Sequence, residues 1–141
     1  MLTVRHLPSL GDPRSGTMTR DAWVYRTEVE NTGNRRLRVI WFEFYYQNDG
    51  TWFGVNVRNR PLGNSDFVDW YGDSGSALSE GGWLEPGAVG VCDPNWHLAF
   101  CKEPYPAKWS FLAVDEEGRE CLAEAEIPGE VVKWFSVEKE E

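Results

Sequence analysis

Residues 35–47 read RRLRVIWFEFYYQ, and no other stretch restricts the fold as strongly. β-Branched and aromatic side chains dominate it, which suits a pleated strand. Both of its faces are largely apolar, so the run predicts a central strand covered on two sides. The residues NDG (48–50) turn the chain, and TWFGVNVR (51–58) returns beside it as a hairpin partner. Upstream, AWVYRTEVEN (22–31) alternates as a half-buried strand should. Trp23, Tyr25, Thr27 and Val29 take one face; Val24, Arg26, Glu28 and Glu30 take the other. NTGN (31–34) joins the two strands as a turn.

The rest of the chain repeats this grammar of short apolar runs cut by Gly, Asn and Pro. DFVDWY (66–71) and AVGVCD (88–93) read as strands, separated by a Gly/Ser-rich loop and an LEPG turn. AKWSFLAVD (107–115) and RECLAEAEI (119–127) form a hairpin. Trp109, Phe111 and Ala113 face inward on one arm, and Cys121, Ala123, Ala125 and Ile127 on the other. EVVKWFSV (130–137) is a last strand or an arm over an edge, and VEKEE (137–141) is a charged tail. The pattern predicts an all-β, antiparallel immunoglobulin/fibronectin-III-like β-sandwich of seven to eight strands. The 141 residues suit a single domain spanning 1–141, with a core at about 22–128, an N-terminal segment and a C-terminal arm.

Three pieces, in order, resemble ApaG-type domains. YRTEVENTGNRRLRVIWFE is similar to their opening strand–turn–strand. WLEPGAV is similar to their Pro-Gly turn before a strand, and FLAVDEEGRECLAEAEIP to their closing hairpin. The resemblance spans residues 23–128 and implies a fibronectin-type-III-like sandwich serving as an interaction module. The family's compact Gly-x-Gly-x-x-Gly element, thought to suit phosphate, is not matched by Gly72, Gly75, Gly81 and Gly82.

Net charge is −9, unevenly spread: residues 1–70 hold nine arginines against eight acids, residues 71–141 five basic groups against fifteen acids. Such a balance argues against a nucleic-acid binder, which needs cations to displace phosphate counterions. No apolar run suits a signal peptide or a membrane span, and three cysteines is an odd number. The expectation is a cytoplasmic protein with reduced thiols and no membrane partner.

VCDPNWHLAFC (91–101) places two thiols and a histidine within eleven positions. Cys92, His97 and Cys101 lack a clear fourth ligand for a closed zinc site; Asp93, Cys121 and His6 are the candidates. The expectation is a loop holding neither metal nor cofactor, with Cys92 ending a strand and His97 exposed. A metal- or thiol-dependent enzyme using Cys92 and His97 is the alternative from a different class. GDSGS (72–76) echoes a protease nucleophile turn at Ser74, without an upstream His–Asp partnership. Eight tryptophans keep a carbohydrate-binding module open: Trp23, Trp41 and Trp109 read as core, while Trp52, Trp70, Trp83 and Trp96 lie near turns. A small acidic inhibitor or immunity-type protein is a third alternative, through residues 73–126.

The leading reading is a non-catalytic protein-interaction module. Counting successive traverses of the sandwich sorts its loops by end. The turn at 31–34 and the loops at 59–65 and 94–106 share one end, which gathers Arg35, Arg36, Arg58, Arg60, Trp96, His97, Lys102 and Tyr105. The other end is acidic, with Asp49, Asp73, Glu116 and Glu117. A basic, aromatic end on an acidic protein predicts recognition of an anionic partner through Arg35, Arg58, Arg60, Trp96, His97, Lys102 and Tyr105.

Overall fold

The computed structural model describes residues 1–11, 20–72 and 78–136. Two antiparallel sheets face each other as an immunoglobulin-like β-sandwich, with ten strands among the described residues. In chain order these are β1 (Leu2–Leu7), β2 (Ala22–Asn31), β3 (Leu37–Asn48), β4 (Thr51–Val55), β5 (Leu78–Ser79), β6 (Trp83–Leu84), β7 (Val89–Leu98), β8 (Ala107–Val114), β9 (Glu120–Glu126) and β10 (Lys133–Phe135). One helix, α1 (Asn64–Tyr71), interrupts them. The first sheet is built on β2, which pairs with β7 along one side. On its other side it pairs with β1 at one half and β10 at the other. The second sheet runs from β9 through β8 to β3, whose far side takes β4 at one half and β6 at the other.

The predicted central strand is central. Phe42 is fully buried, stacked on Phe111 and edge-on to Phe67, Trp70 and Tyr71. A register shift between Val39 and Trp41 moves the inward set from Leu37 and Val39 to Phe42 and Phe44. The closing hairpin pairs as its alternation predicts, with Trp109 opposite Ala125 and Phe111 opposite Ala123.

Two expectations change. The strand count rises to ten because the N-terminal segment supplies β1 and the Gly/Ser-rich region contributes the short β5 and β6. DFVDWY is a helix, since Phe67, Trp70 and Tyr71 fall on one face at helical spacing and period two does not group them. The N-terminus of α1 is tied by Asp66, which accepts from the Gly63 amide (2.9 Å) and from both terminal nitrogens of Arg60 (2.7 and 2.8 Å). The Arg60 hydrogen bonds, aided by that amide, hold the Asp66 carboxyl at about 2. Phe67 and Tyr71 reach across to β7, where Gly90 makes room: a Cβ there would sit 3.3 Å from each. The helix thus closes half of one flank of the sandwich. The opposite flank is closed by β1 against β9, where His6 Nε2 meets the Ala125 carbonyl at 3.1 Å. The tail VEKEE and the residues Asp73, Ser74 and Gly75 lie outside the described residues.

Candidate functional site

The flank that α1 leaves open contains a cleft of about 540 Å³ between the β4 and β7 edges. Phe44 and Tyr46 of β3, Val55 of β4 and Trp109 of β8 form one side. Trp70 of α1 and residues 94–98 of β7 form the other, and Phe100 and Tyr105 stand at the mouth. Among the described residues, Arg20 and Arg58 are the charged ones of the lining, and no Asp or Glu lines it. Arg58 lies 5.4 Å above the Trp70 ring, a distance at which the ring face attracts a guanidinium.

Beneath the cleft, two hydrogen-bonded relays run side by side. Asn95 Nδ2 donates to Thr27 Oγ1 (2.9 Å), which leaves the Thr27 hydroxyl to donate to His6 Nδ1 (2.9 Å). His6 Nε2–H then donates to the Ala125 carbonyl. In the second relay, Trp109 Nε1–H donates to the Tyr25 oxygen (2.8 Å), and the Tyr25 hydroxyl donates to His97 Nδ1 (3.0 Å). A carbonyl only accepts, which places the His6 proton on Nε2; the buried Tyr25 hydroxyl finds its acceptor, among the described residues, in His97 Nδ1, which places the His97 proton on Nε2 as well. Both rings are buried. Burial holds His6 at about 4, partly offset by its bond to Ala125, and holds His97 at about 3, with His6 adding to the effect.

The structure brings together four of the seven anticipated residues. Arg58, Trp96, His97 and Tyr105 line the cleft. Lys102 sits on the neighbouring loop with its ammonium 5.5 Å from the Trp134 ring. Arg60 is spent on Asp66. Arg35 is at the opposite end, bonded to Glu117 at 3.0 Å, next to Arg36 with Glu116. The reason is a parity error. With 66–71 a helix, β4 and α1 together make one traverse, so every later loop changes end. The turns at 31–36, 85–88 and 115–119 therefore meet, as the Asn31 amide donating to the Ala88 carbonyl (3.0 Å) demonstrates. The loop at 99–106 joins the turn at 48–50 instead, through the Gln47 amide and the Pro106 carbonyl. The segment 59–65 runs along the flank, with Leu62 bridging to Phe42 in mid-strand.

VCDPNWHLAFC also differs from a loop. Residues 89–98 are one strand, Cys92 lies inside it and His97 is only 5% exposed. Phe44, Tyr46, Trp70, Phe100 and Trp109 complete the lining, and the signal that links them is their shared aromatic character rather than any spacing. Among the described residues no three His, Cys, Asp or Glu side chains are grouped to hold a metal ion. Of the expected core tryptophans, Trp23 and Trp109 are buried and Trp41 half-buried; of the turn set, Trp96 is exposed and Trp52, Trp70 and Trp83 are half-buried.

The three thiols separate by environment. Cys101 is exposed, Cys121 is half-buried rather than buried, and Cys92 is buried with its thiol pushed up to about 12 by desolvation. Timed maleimide labelling of the native protein, read by peptide mass spectrometry, is expected to modify Cys101 first, Cys121 later and Cys92 last. Labelling of Cys92 as fast as Cys101 would contradict this order.

No family model and no curated protein sequence matches the chain, so the ApaG resemblance has no such match behind it. Among solved structures, the archaellum periplasmic stator protein complex FlaF and FlaG from Sulfolobus acidocaldarius is similar at 14% identity and a TM-score of 0.30. The match covers 86% of this chain and 100% of that one. The architecture given above rests on the chain's own strand pairing. Among the described residues no helix is long and apolar enough to cross a membrane.

Proposed function

We propose that the protein is a non-catalytic recognition module of the cytoplasm that docks a protein partner through the ring-lined cleft. The observation that carries this reading is the rim. Trp96 is 41% exposed, Val57 42% and Phe100 73%, and all three belong to the cleft lining. Apolar surface that spreads from a cleft onto its rim is costly in water and suits a partner wide enough to cover it. The ApaG-type likeness of residues 23–128 points the same way.

The enzyme alternative is disfavoured by protonation. A nucleophilic Cys92 would need a thiolate and a base, yet its thiol is held neutral. The His97 Nδ1 lone pair is engaged by Tyr25. An inhibitor acting through the acidic end is disfavoured as well, because Glu85, Glu116 and Glu117 hold the protein's own Arg36 and Arg35.

The test is recovery of a partner by tagged protein, compared with the Trp96→Ala, Phe100→Ala double variant. Both side chains are exposed, so the variant is expected to keep its melting temperature while losing the partner captured by the parent. Equal recovery by the two proteins would sink the proposal.

A further inference from the structure

The two relays end differently. The first terminates on the Ala125 carbonyl. The second terminates on His97 Nε2–H, for which no described residue provides an acceptor, although His97 is 5% exposed and lines the cleft. His97 Nε2 is not sealed from the cleft, so an acceptor arriving with a ligand can reach it. The ring is stacked on Phe44 at 4.7 Å and lies edge-on to Tyr105 at 5.3 Å, so the donor's direction is fixed.

Charge gives the second observation. Arg5, Arg26, Arg35, Arg36, Arg60 and Arg119 each hold a carboxylate within 4 Å, while Arg38, away from the cleft, holds none and lies over the Trp83 ring at 5.9 Å. Arg20 and Arg58, the two on the cleft, hold none among the described residues. The acid that Arg58 influences, Asp66, is already taken by Arg60. The described lining of the cleft therefore carries the opposite sign to a protein whose net charge is −9.

From the open donor and the unpaired arginines we infer that the cleft takes an acidic segment of its protein partner, with a carboxylate meeting Arg58 and His97 Nε2–H beside an apolar side chain packed among Trp70, Trp96 and Tyr105. This rests on the cleft being the docking surface, as proposed above. A neutral imidazole and a guanidinium both donate, so they select an acceptor anion. Nucleic acid is a poorer fit: two cations cannot offset a polyphosphate against the field of an acidic protein. Strand addition along β7 is also disfavoured. Its edge carries Pro94, which has no N–H, while the Trp96 amide is occupied by Asn95 Oδ1 and the Leu98 carbonyl by the Tyr105 hydroxyl.

A random peptide display library, panned on the full chain and counter-selected on Trp96→Ala, tests the inference. Enriched peptides are expected to share Asp or Glu next to an apolar residue. Synthetic versions should bind about tenfold more weakly to Arg58→Glu and more weakly as salt rises. The His97 Nε2 resonance should shift on saturation with the acidic peptide and not with its Gln counterpart. Enriched peptides lacking an acid, an unmoved His97 signal, undiminished binding by Arg58→Glu, or displacement by a short oligothymidylate at equal concentration would overturn the acidic assignment while leaving the cleft as a docking surface. Absence of any enrichment that Trp96→Ala removes would overturn both.

Discussion

Lowering the pH from 7 to 4 is expected to unfold this protein, with the loss beginning well above the carboxylate range. His6 and His97 are both buried and neutral, with values of about 4 and about 3 against an ordinary 6.5. The unfolded chain takes up these protons first, so stability is complete above pH 6.5 and falls as the pH drops towards the folded-state values. At 1.36 kcal/mol per unit, His6 and His97 each contribute about 3 kcal/mol to the loss by pH 4, and His97 reaches about 5 kcal/mol only below pH 3. The sum is comparable with the roughly 5–15 kcal/mol that holds a domain folded. Among the described residues neither ring has a carboxylate to shelter its cation: His6 meets Thr27 and the Ala125 carbonyl, and His97 meets Tyr25, Phe44 and Tyr105. Denaturant titrations between pH 7 and pH 4.5 should show stability falling with a slope approaching two protons, about 2.7 kcal/mol per pH unit. Constant stability across that range would refute the account. His6→Gln, which does not titrate, should reduce the slope towards one proton if it folds. Asp66, held by Arg60, adds a further loss only below its ordinary carboxylate value.

These histidines show where sequence reasoning stops. β2, β3 and the β8–β9 hairpin were legible because their inward sets alternate over many residues and their turns carry Gly and Asn. The alternation on β7 breaks at Pro94: Gly90 and Cys92 face in, then Asn95 and His97. Opposite the break, the register with β2 slips between Tyr25 and Thr27. A proline followed by a phase shift looks like the end of a strand, although Pro94 sits at an edge where no amide is required. The cleft was half legible. Arg58, Trp96, His97 and Tyr105 were gathered by counting loops, but Arg35 was gathered with them, because one helix taken for a strand reverses every later end. Arg60 looked available because Asp66, its partner, was placed on a strand and not at a helix start. Phe44 and Trp109 had to be core by alternation, and they are; only tertiary structure reveals that the core opens on them.

Asn31→Asp, which exchanges one amide nitrogen for oxygen, is expected to cost about 2–5 kcal/mol of stability. Asn31 is fully buried. Its Nδ2 donates to the Arg35 carbonyl at 2.7 Å and the Leu84 carbonyl at 2.9 Å, while Oδ1 accepts from the Gly33 amide at 3.0 Å. Its own amide and carbonyl bond to Ala88 and Gly87. The side chain thereby ties the β2–β3 turn to the end of β6, and the backbone of the same residue ties it to the turn before β7. Volume hardly changes on going to Asp, so no packing defect enters. An ionised carboxylate at this position would turn an acceptor towards two acceptors. A protonated one has a single hydrogen for two carbonyls. Either state leaves unmatched at least one of the two carbonyls that Nδ2 satisfies, so titration does not restore both bonds. Asn34 provides the control: it lies exposed in the same turn, and Asn34→Asp should stay within about 0.5 kcal/mol of the parent. Urea unfolding at pH 7.5 measures both, the midpoint moving for Asn31→Asp with the slope unchanged. If the two variants unfold at the same urea concentration as the parent, the bonds of Asn31 do not hold this end of the sandwich together.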